Sequence, residues 1–315
     1  MSEELLSPLV DFLFKRIFGD EQNSDVLIAF LNGIFEDSGD PLVESVQLLN
    51  PFIDKDALTD KMSVLDIRAR TEARTLVNIE VQIRNYGDMR VRSLYYWARL
   101  YESELHGGDT YNTLHPAIAI NVLAFAEIAN DQYHNVFHVR NAAGLVLTDH
   151  LAIHFLELPK IQQRILATTS RLLRWLLFLS LRTSAQLETL VKGDPMMEKA
   201  LTTLEFLSHD EQTRLLYEAR EKALHDYASA IANAEEKGRD EGRREGWDEG
   251  HKEGRDEGRR EGRDEGHKEG RDEGEQLKAI EIATKMLSKG IMPAEIAEVT
   301  GLSEAEIDAI RQRLQ

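Results

Sequence analysis

The 315-residue sequence contains no cysteine, only seven prolines and no long apolar run. The lack of cysteine excludes a disulfide framework and a thiolate zinc site. The most apolar run, LLRWLLFLSL at residues 172–181, is too short to span a bilayer and is flanked by Arg171 and Arg182. The first residues, MSEELLSPLVDF, lack the basic and apolar regions of a signal peptide. We therefore expect a soluble, cytoplasmic protein without membrane contacts.

Positive charge is also scarce. Lys and Arg number 38 against 56 Asp and Glu, for a formal net charge of −18. Non-specific adhesion to nucleic acid needs clustered Lys and Arg, so this balance excludes a general nucleic-acid-binding protein. Contact with DNA would require a local site, with metal cations offsetting the repulsion. The hydrophobic content of 42% supports a packed core.

Composition divides the chain into three predicted domains, at residues 1–235, 236–275 and 276–315. Hydrophobic spacing in the first predicts two early helices, a hairpin, a long helix, a buried strand, two further strands and a helical appendage. The first helix runs from about Ser7 to Gly19, and the second begins at residue 23 or 24. An extended segment at 43–53, the hairpin at 61–84 and the long helix over 88–108 follow. The remaining strands lie at 116–125, 135–142 and 151–158, and the helical appendage covers 165–235 with breaks at Gly193 and Pro195. This order predicts an α/β domain with a mixed sheet flanked by helices.

Residues 63–83, SVLDIRARTEARTLVNIEVQI, alternate apolar and polar positions. A turn centred near Ala73 would place Asp66 opposite Glu80, with Cβ atoms roughly 5 Å apart on one face. Like charges so placed destabilise a sheet unless a cation lies between them, and Mg²⁺ accepts carboxylates, water and phosphate. The alternative is a solvated strand face on which Arg68 and Arg70 neutralise the acids.

The segment VLDIRARTEARTLVNIEVQI resembles the core of PD-(D/E)XK nucleases: an acid in one strand, then an acid–x–polar triplet in the next. Together with LLSPLVDFLFKRIFGDEQNSDVLIAFLNGIF and RVRSLYYWARLYESELHGGDTYNTLHPAIAINVLAF, it resembles the Rpn family of recombination-promoting nucleases and putative transposases. The resemblance covers residues 1 to about 235. It implies a restriction-endonuclease-like fold and a metal-dependent DNA endonuclease that acts in recombination or on mobile or foreign DNA.

The same resemblance implies the site residues. Asp66, Glu80 and the carbonyl of Val81 would bind Mg²⁺ or Mn²⁺. Gln82 would stand where the superfamily usually has Lys. An amide cannot abstract a proton and can only orient water, so proton transfer would fall to metal-bound water, whose pKa the cation lowers.

Four further residues are accessory candidates. The resemblance suggests Asp11 as an extra acid and Lys15 on a phosphate, whereas their i, i+4 spacing also suits a surface ion pair worth a few tenths of a kcal/mol. Arg92 could bind phosphate bidentately, with Tyr96 one turn away. Helix packing is the favoured interpretation for the aromatic residues Tyr95, Tyr96 and Trp97.

From Gly238 to Gly274 every fourth residue is glycine, in units of the form G-x-x-E, and a 16-residue piece is duplicated. Alternating charges at the third position of each unit favour a helix, whereas each glycine costs about 1 kcal/mol against alanine. We expect a solvated, marginal helix that acts as a spacer. The alternative is a helix that dimerises along its glycine stripe.

The pattern of residues 276–315 predicts three short helices. Gly290 would end the first, Pro293 would begin the second, and Gly301 would form the turn before the third. Ser303 and Glu306 form the pattern of a capping box. Residues 297–307 resemble a helix-turn-helix. Phosphates would repel the acids at the start of the third helix, so a packing or oligomerisation unit is favoured over a DNA-sequence reader.

Two classes of function remain. The first is the metal-dependent DNA endonuclease, and the second is a catalytically weak or inactive relative that binds DNA or proteins. The intact acid pair favours the first, and Gln82 leaves room for the second. DNA is the expected partner, with a homo-oligomer through the repeat or the C-terminal unit as an alternative assembly.

Overall fold

The computed structural model describes residues 4–50, 66–161 and 170–314. The chain divides into two units, Met1–Tyr227 and Ala228–Gln315. Parts of the predicted extended segment, of the first hairpin strand and of the first appendage helix lie outside the described residues. Across the described chain, no helix combines the length and the apolar character needed to cross a membrane.

A six-stranded sheet forms the centre of the first unit. Its strands are β1 (Val46–Leu48), β2 (Ile67–Thr71), β3 (Leu76–Gln82), β4 (Ala117–Leu123), β5 (His134–His138) and β6 (Leu151–Glu157). They lie in the order β1-β2-β3-β4-β6-β5. The neighbours β3, β4 and β6 run parallel, and the other pairs run antiparallel. The predicted mixed sheet is therefore confirmed. Strand β4 lies in its interior, as expected from the apolar run at residues 116–125.

The β2–β3 hairpin turns where its pattern predicted. Thr71 donates its N–H to the carbonyl of Thr75 at 3.0 Å, and Arg74 adopts a left-handed conformation with φ of 63°. A three-residue loop of this kind needs one residue with positive φ before the second strand. The strand register then pairs Ile67 with Ile79.

The apolar face of the hairpin packs on helices α1 (Asp11–Phe18), α2 (Ser24–Ser38) and α4 (Arg171–Ser180). Phe18, Phe30 and Trp175 meet edge-on or tilted, with ring centroids 5.0–5.9 Å apart. Gly33 lets α2 approach α4 closely, because an added Cβ would lie 3.2 Å from Trp175 Cδ1 and 3.3 Å from Leu172 N.

The opposite face of the sheet is covered by helix α3 (Met89–Glu102). The Trp97 indole N–H donates to the carbonyl of Ala117 at 2.8 Å and anchors the helix to β4. The predicted helix over 88–108 is too long at its end. Ser103 hydroxyl donates to the Leu100 carbonyl at 2.7 Å, and the chain leaves the helix before the glycine pair.

Two other boundaries differ from the prediction. Helix α1 begins at Asp11 rather than near Ser7, because the preceding chain bonds elsewhere: Leu5 N–H donates to the carbonyl of Arg182 at 2.9 Å. The appendage continues as α5 (Ser184–Val191), α6 (Pro195–His209) and α7 (Glu211–Ser288). The breaks at Gly193 and Pro195 are confirmed, and additional breaks occur at 181–183 and at Asp210.

The G-x-x-E repeat lies within α7, so the helical prediction is confirmed. Every residue from 238 to 274 is exposed. Apart from the backbone of the helix itself, a Cβ added to any repeat glycine would meet no described atom within 4 Å. The helix therefore gains no packing energy along the repeat.

The second unit ends in α8 (Pro293–Thr300) and α9 (Glu304–Arg313). Gly301 has a φ of 72°, and Ser303 and Glu306 form the predicted capping box. Four buried residues from the end of α7 onward form its small core: Ala283, Ile296, Leu302 and Ile307. The predicted second and third helices and the turns before them are confirmed, whereas the prediction of a separate short first helix was wrong, because α7 continues unbroken from the repeat to Ser288.

Deleting residues 243–258, one copy of the duplicated piece, should leave the stability of the first unit unchanged. The segment is fully exposed, so we expect its loss to change the unfolding free energy by less than about 0.5 kcal/mol. Thermal or urea unfolding followed by circular dichroism measures this. Leu204→Ala, in the buried core, is the positive control and should cost roughly 2–5 kcal/mol. A large loss on deletion would show that the repeat packs on the folded unit.

Candidate active site

The two acids of the hairpin lie opposite each other. Ile67 pairs with Ile79, so the next position outward brings Asp66 opposite Glu80, as the turn position predicted. Side chains alternate across a strand, and both isoleucines face the core, so both carboxylates lie on the α3 face. Asp66 precedes β2 by one residue, and Glu80 lies near the end of β3.

Glu80 is almost fully buried, with a side-chain exposure of 2%. Its Oε1 accepts hydrogen bonds from Gln82 Nε2 at 2.7 Å and from Arg92 NH2 at 3.1 Å. Burial raises the pKa of Glu80, and the Arg92 charge and the Gln82 hydrogen bond oppose that rise. Asp66 and Asp88 add to the rise, since their charges repel a second carboxylate. Burial therefore disfavours the charged form of Glu80, and Arg92 is a cation that offsets this.

Asp66 is held by different donors. Arg68 Nε donates to its Oδ2 at 2.8 Å, and Asn50 Nδ2 approaches its Oδ1 at 3.3 Å. Asn50 also donates to the main-chain carbonyl of Asp66 at 3.1 Å and accepts from the Arg68 N–H at 2.7 Å. Sequence analysis missed Asn50, because it lies 16 residues before Asp66 and no periodicity links the two. The alternative interpretation of the polar face, in which Arg68 neutralises an acid, is therefore confirmed for Asp66.

Helix α3 positions Arg92 over Glu80. Asn121 on β4, the register partner of Glu80, donates through Nδ2 to the buried Ser93 hydroxyl at 2.7 Å. This bond fixes the helix turn that carries Arg92. The Arg92 guanidinium carbon lies 5.6 Å from the centre of the Tyr96 ring. Burial lowers the pKa of Arg92, but the hydrogen bond with Tyr96 and the charge of Glu80 outweigh it, so the pKa is raised.

The other two aromatic residues considered on α3, Trp97 and Tyr95, differ in how far they are buried. Trp97 packs on the sheet, as predicted. Tyr95 is 56% exposed, so the prediction that it packs against the sheet was wrong. It follows the buried Ser93 by two positions, which turns it about 200° around the helix, to the side away from the sheet.

Asp11 accepts from the Arg220 guanidinium, with Nε at 3.1 Å from Oδ1. Arg220 belongs to the first turns of α7, so Asp11 ties α1 to that helix. Lys15 is buried, with 5% of its surface exposed. An added Cβ on Gly19 would meet Lys15 Cγ at 3.0 Å and Ile67 Cγ1 at 3.2 Å, so the end of α1 packs beside the start of β2.

The donors around the acid pair suit a hard divalent cation. The Gln82 carbonyl accepts from Ala124 N on the β4 side at 2.9 Å, and successive carbonyls of a strand point to opposite sides. The Val81 carbonyl therefore faces the side on which Asp66 lies. Two carboxylates and one carbonyl are oxygen ligands of the kind that Mg²⁺ accepts with water in its remaining positions. Among the described residues, no group of three or more His, Asp or Glu side chains could hold a metal ion.

Comparison with known families identifies two matching family models. The model for PD-(D/E)XK nuclease family transposases matches residues 8–234. The model for the C-terminal HTH domain of the Rpn/YhgA-like nuclease family matches residues 276–312. Neither the curated proteins nor the solved structures gave a significant match. The six-stranded mixed sheet with flanking helices is consistent with the restriction-endonuclease-like α/β fold of the first family.

Replacing Arg92 tests whether Glu80 depends on it. Arg92→Ala leaves a buried acceptor without one of its donors, so we expect a loss of roughly 1–3 kcal/mol in urea unfolding at neutral pH. The loss should fall when Glu80→Gln is added, because the neutral amide needs no cation. Arg90→Ala is the matched control, since Arg90 is 62% exposed and its pair with Glu127 should contribute less than about 1 kcal/mol. Equal losses for Arg92→Ala and Arg90→Ala would contradict the assignment.

Proposed function

We propose, because the chain belongs to the PD-(D/E)XK nuclease family transposases, that it is an endonuclease that hydrolyses phosphodiester bonds in DNA with a divalent metal ion. The observation that carries the proposal is the opposed pair Asp66 and Glu80. Glu80 is buried on a sheet face beside a carboxylate that repels it, and Arg92 offsets this only in part, since the pKa of Glu80 stays raised by burial. A purely structural sheet face would not need that pair.

Asp66, Glu80 and the Val81 carbonyl are proposed to hold Mg²⁺ or Mn²⁺. A cation bound there would lower the pKa of a coordinated water and supply the nucleophile at neutral pH. Gln82 already donates to Glu80 at 2.7 Å, and its amide can also orient a water molecule. It cannot act as the general base, since an amide does not accept a proton at neutral pH.

Arg92 is proposed to bind the phosphate group that is attacked. Its guanidinium reaches the buried acid at 3.1 Å, is 22% exposed and carries several donors. Planar guanidinium groups recognise phosphate oxygens bidentately. Tyr96, under the guanidinium, would position Arg92 rather than touch the substrate. Asp11 and Lys15 belong to α1, which packs on the sheet face opposite the carboxylates, so they are proposed to support the fold rather than to contact the substrate: Asp11 is engaged by Arg220, and Lys15 is buried beside Ile67.

A second candidate is a catalytically weak or inactive relative that binds DNA or proteins. Gln82 favours it, since the usual Lys is absent. The C-terminal HTH domain is proposed to serve packing or oligomerisation, because Glu304, Glu306 and Asp308 crowd the start of α9. A role in recombination or against mobile or foreign DNA is proposed from the family alone.

Nicking of supercoiled plasmid separates the two candidates. We expect cleavage with Mg²⁺ or Mn²⁺, no cleavage with EDTA, and loss of activity in Asp66→Ala and in Glu80→Ala. Glu102→Ala, which removes an exposed carboxylate from α3, is the control and should cleave like the wild type. Metal-independent cleavage, or full activity in both acid variants, would refute the nuclease proposal. A wild type that binds plasmid but never cleaves it would favour the inactive relative.

Two substitutions at Gln82 define its role. Gln82→Ala should lower cleavage partially while metal affinity stays nearly unchanged, because the metal ligands remain. Gln82→Lys should keep measurable activity but need more Mg²⁺, since an ammonium group beside Glu80 would pair with it and repel the cation. Cleavage titrated against Mg²⁺ for the three proteins measures both effects. If both variants match the wild type at every concentration, Gln82 has no catalytic role.

A further inference from the structure

A cavity of about 660 Å³ opens where the chain leaves β3. Ile83 and Arg84, which follow the strand directly, form one side of it. Arg182 and the first turns of α7, including Arg214, form much of the rest. All of these residues belong to the first unit. Arg84 lies at most about 7 Å along the chain from Gln82, so one wall of the cavity lies at the end of the strand that carries Glu80 and Gln82, and the other walls lie on the side of α1 and α4.

The arginines of this cavity differ from most others in the unit. Within the described chain, no carboxylate lies at ion-pair distance from Arg84, Arg182 or Arg214. By contrast, seven described arginines elsewhere in the unit pair with an acid, as in Arg70 with Glu104 at 2.6 Å. Acids greatly outnumber bases in this chain, so three arginines without such a partner around one cavity indicate a place for an external anion.

Arg182 is already fixed in place. Its NH1 donates to the carbonyls of Leu179 and Leu181, both at 3.3 Å. Burial lowers the pKa of Arg182, and the more distant charges of Tyr217, Glu4 and Glu221 only oppose that effect. A guanidinium has five N–H donors, so carbonyl bonds through one nitrogen leave donors for an anion.

The acids of the cavity wall, Glu4 and Glu221, favour the charge of Arg182 without forming an ion pair with it. The Glu221 carboxylate accepts from the Tyr217 hydroxyl at 3.0 Å, and that contact turns it toward its own helix. Glu4 also lines the cavity, and its backbone forms an isolated antiparallel β-bridge with Thr183. Neither forms an ion pair with a described arginine.

We propose that this cavity binds backbone phosphates of the DNA strand, next to the phosphate at the active site, through Arg84, Arg182 and Arg214. The cavity is much larger than one phosphate group and therefore fits a length of sugar–phosphate chain better than a lone anion. Arginine donors match phosphate oxygens, and such contacts fix the register of a strand without reading its sequence. The inference rests on the proposed function, since it supplies the local basic site that an acidic chain needs to hold DNA.

The test is DNA binding without catalysis. A fluorescein-labelled duplex is titrated with full-length protein in EDTA at several salt concentrations, with fluorescence anisotropy as the readout. Arg84→Ala/Arg214→Ala removes two contacts, so we expect affinity to fall roughly tenfold at low salt and the slope of log Kd against log salt to fall by about 2. Arg84 is half-buried and Arg214 is exposed, and circular dichroism checks that the double variant folds.

Arg140→Ala is the matched control, since Arg140 is exposed beyond edge strand β5. It should bind DNA like the wild type. Unchanged affinity and slope in the double variant, or an equal loss in the control, would overturn the inference. Plasmid cleavage separates this result from the proposed function. If the wild type never cleaves but the double variant loses binding, the cavity assignment stands and the nuclease proposal fails. If the wild type cleaves and the double variant binds and cleaves equally well, only the cavity assignment fails.

Discussion

The contact on which the site depends is the one between the buried carboxylate of Glu80 and its two donors, Arg92 and Gln82. A carboxylate on a sheet face remains charged under a helix only if that helix brings a cation to it. The Arg92–Glu80 pair therefore adds a polar constraint to the apolar packing that holds α3 on the sheet. The bond from Asn121 to Ser93 and the bond from Trp97 to β4 serve the same constraint from the other side. The geometry of the candidate site and the stability of the fold therefore depend on the same few atoms.

Alternation along residues 63–83 was enough to predict the hairpin and the opposed acids, because both faces of the strands have clear chemistry and the turn lies at the centre. The parallel interior strand was equally visible as an apolar run. Helix ends were less accessible. The early end of α3 and the late start of α1 depend on bonds made by Ser103 and by Leu5, and the latter reaches across nearly the whole unit. Such long-range bonds leave no local pattern.

The same limit applies to the site. Asp66, Glu80 and Gln82 could be proposed from two adjacent strands and a family resemblance. Their supports could not, since Asn50 and Asn121 reach the site through tertiary contacts alone. Arg92 was a candidate for phosphate, but its pairing with Glu80 depends on how α3 crosses the sheet. The unpaired arginines of the neighbouring cavity come from three distant segments, and only the fold brings them together.

The exposed glycine repeat has an evolutionary consequence. No packing surface constrains its length, so adding or losing one G-x-x-E unit, or the whole 16-residue piece, would leave every buried contact of the folded units in place. Tandem duplication in the coding sequence, already visible in the two copies, supplies such changes readily. Such changes in length would hardly alter folding stability, so selection for a stable fold would not remove them. Relatives with intact hairpins and arginine cavities can therefore differ widely in the number of units that they carry at this position.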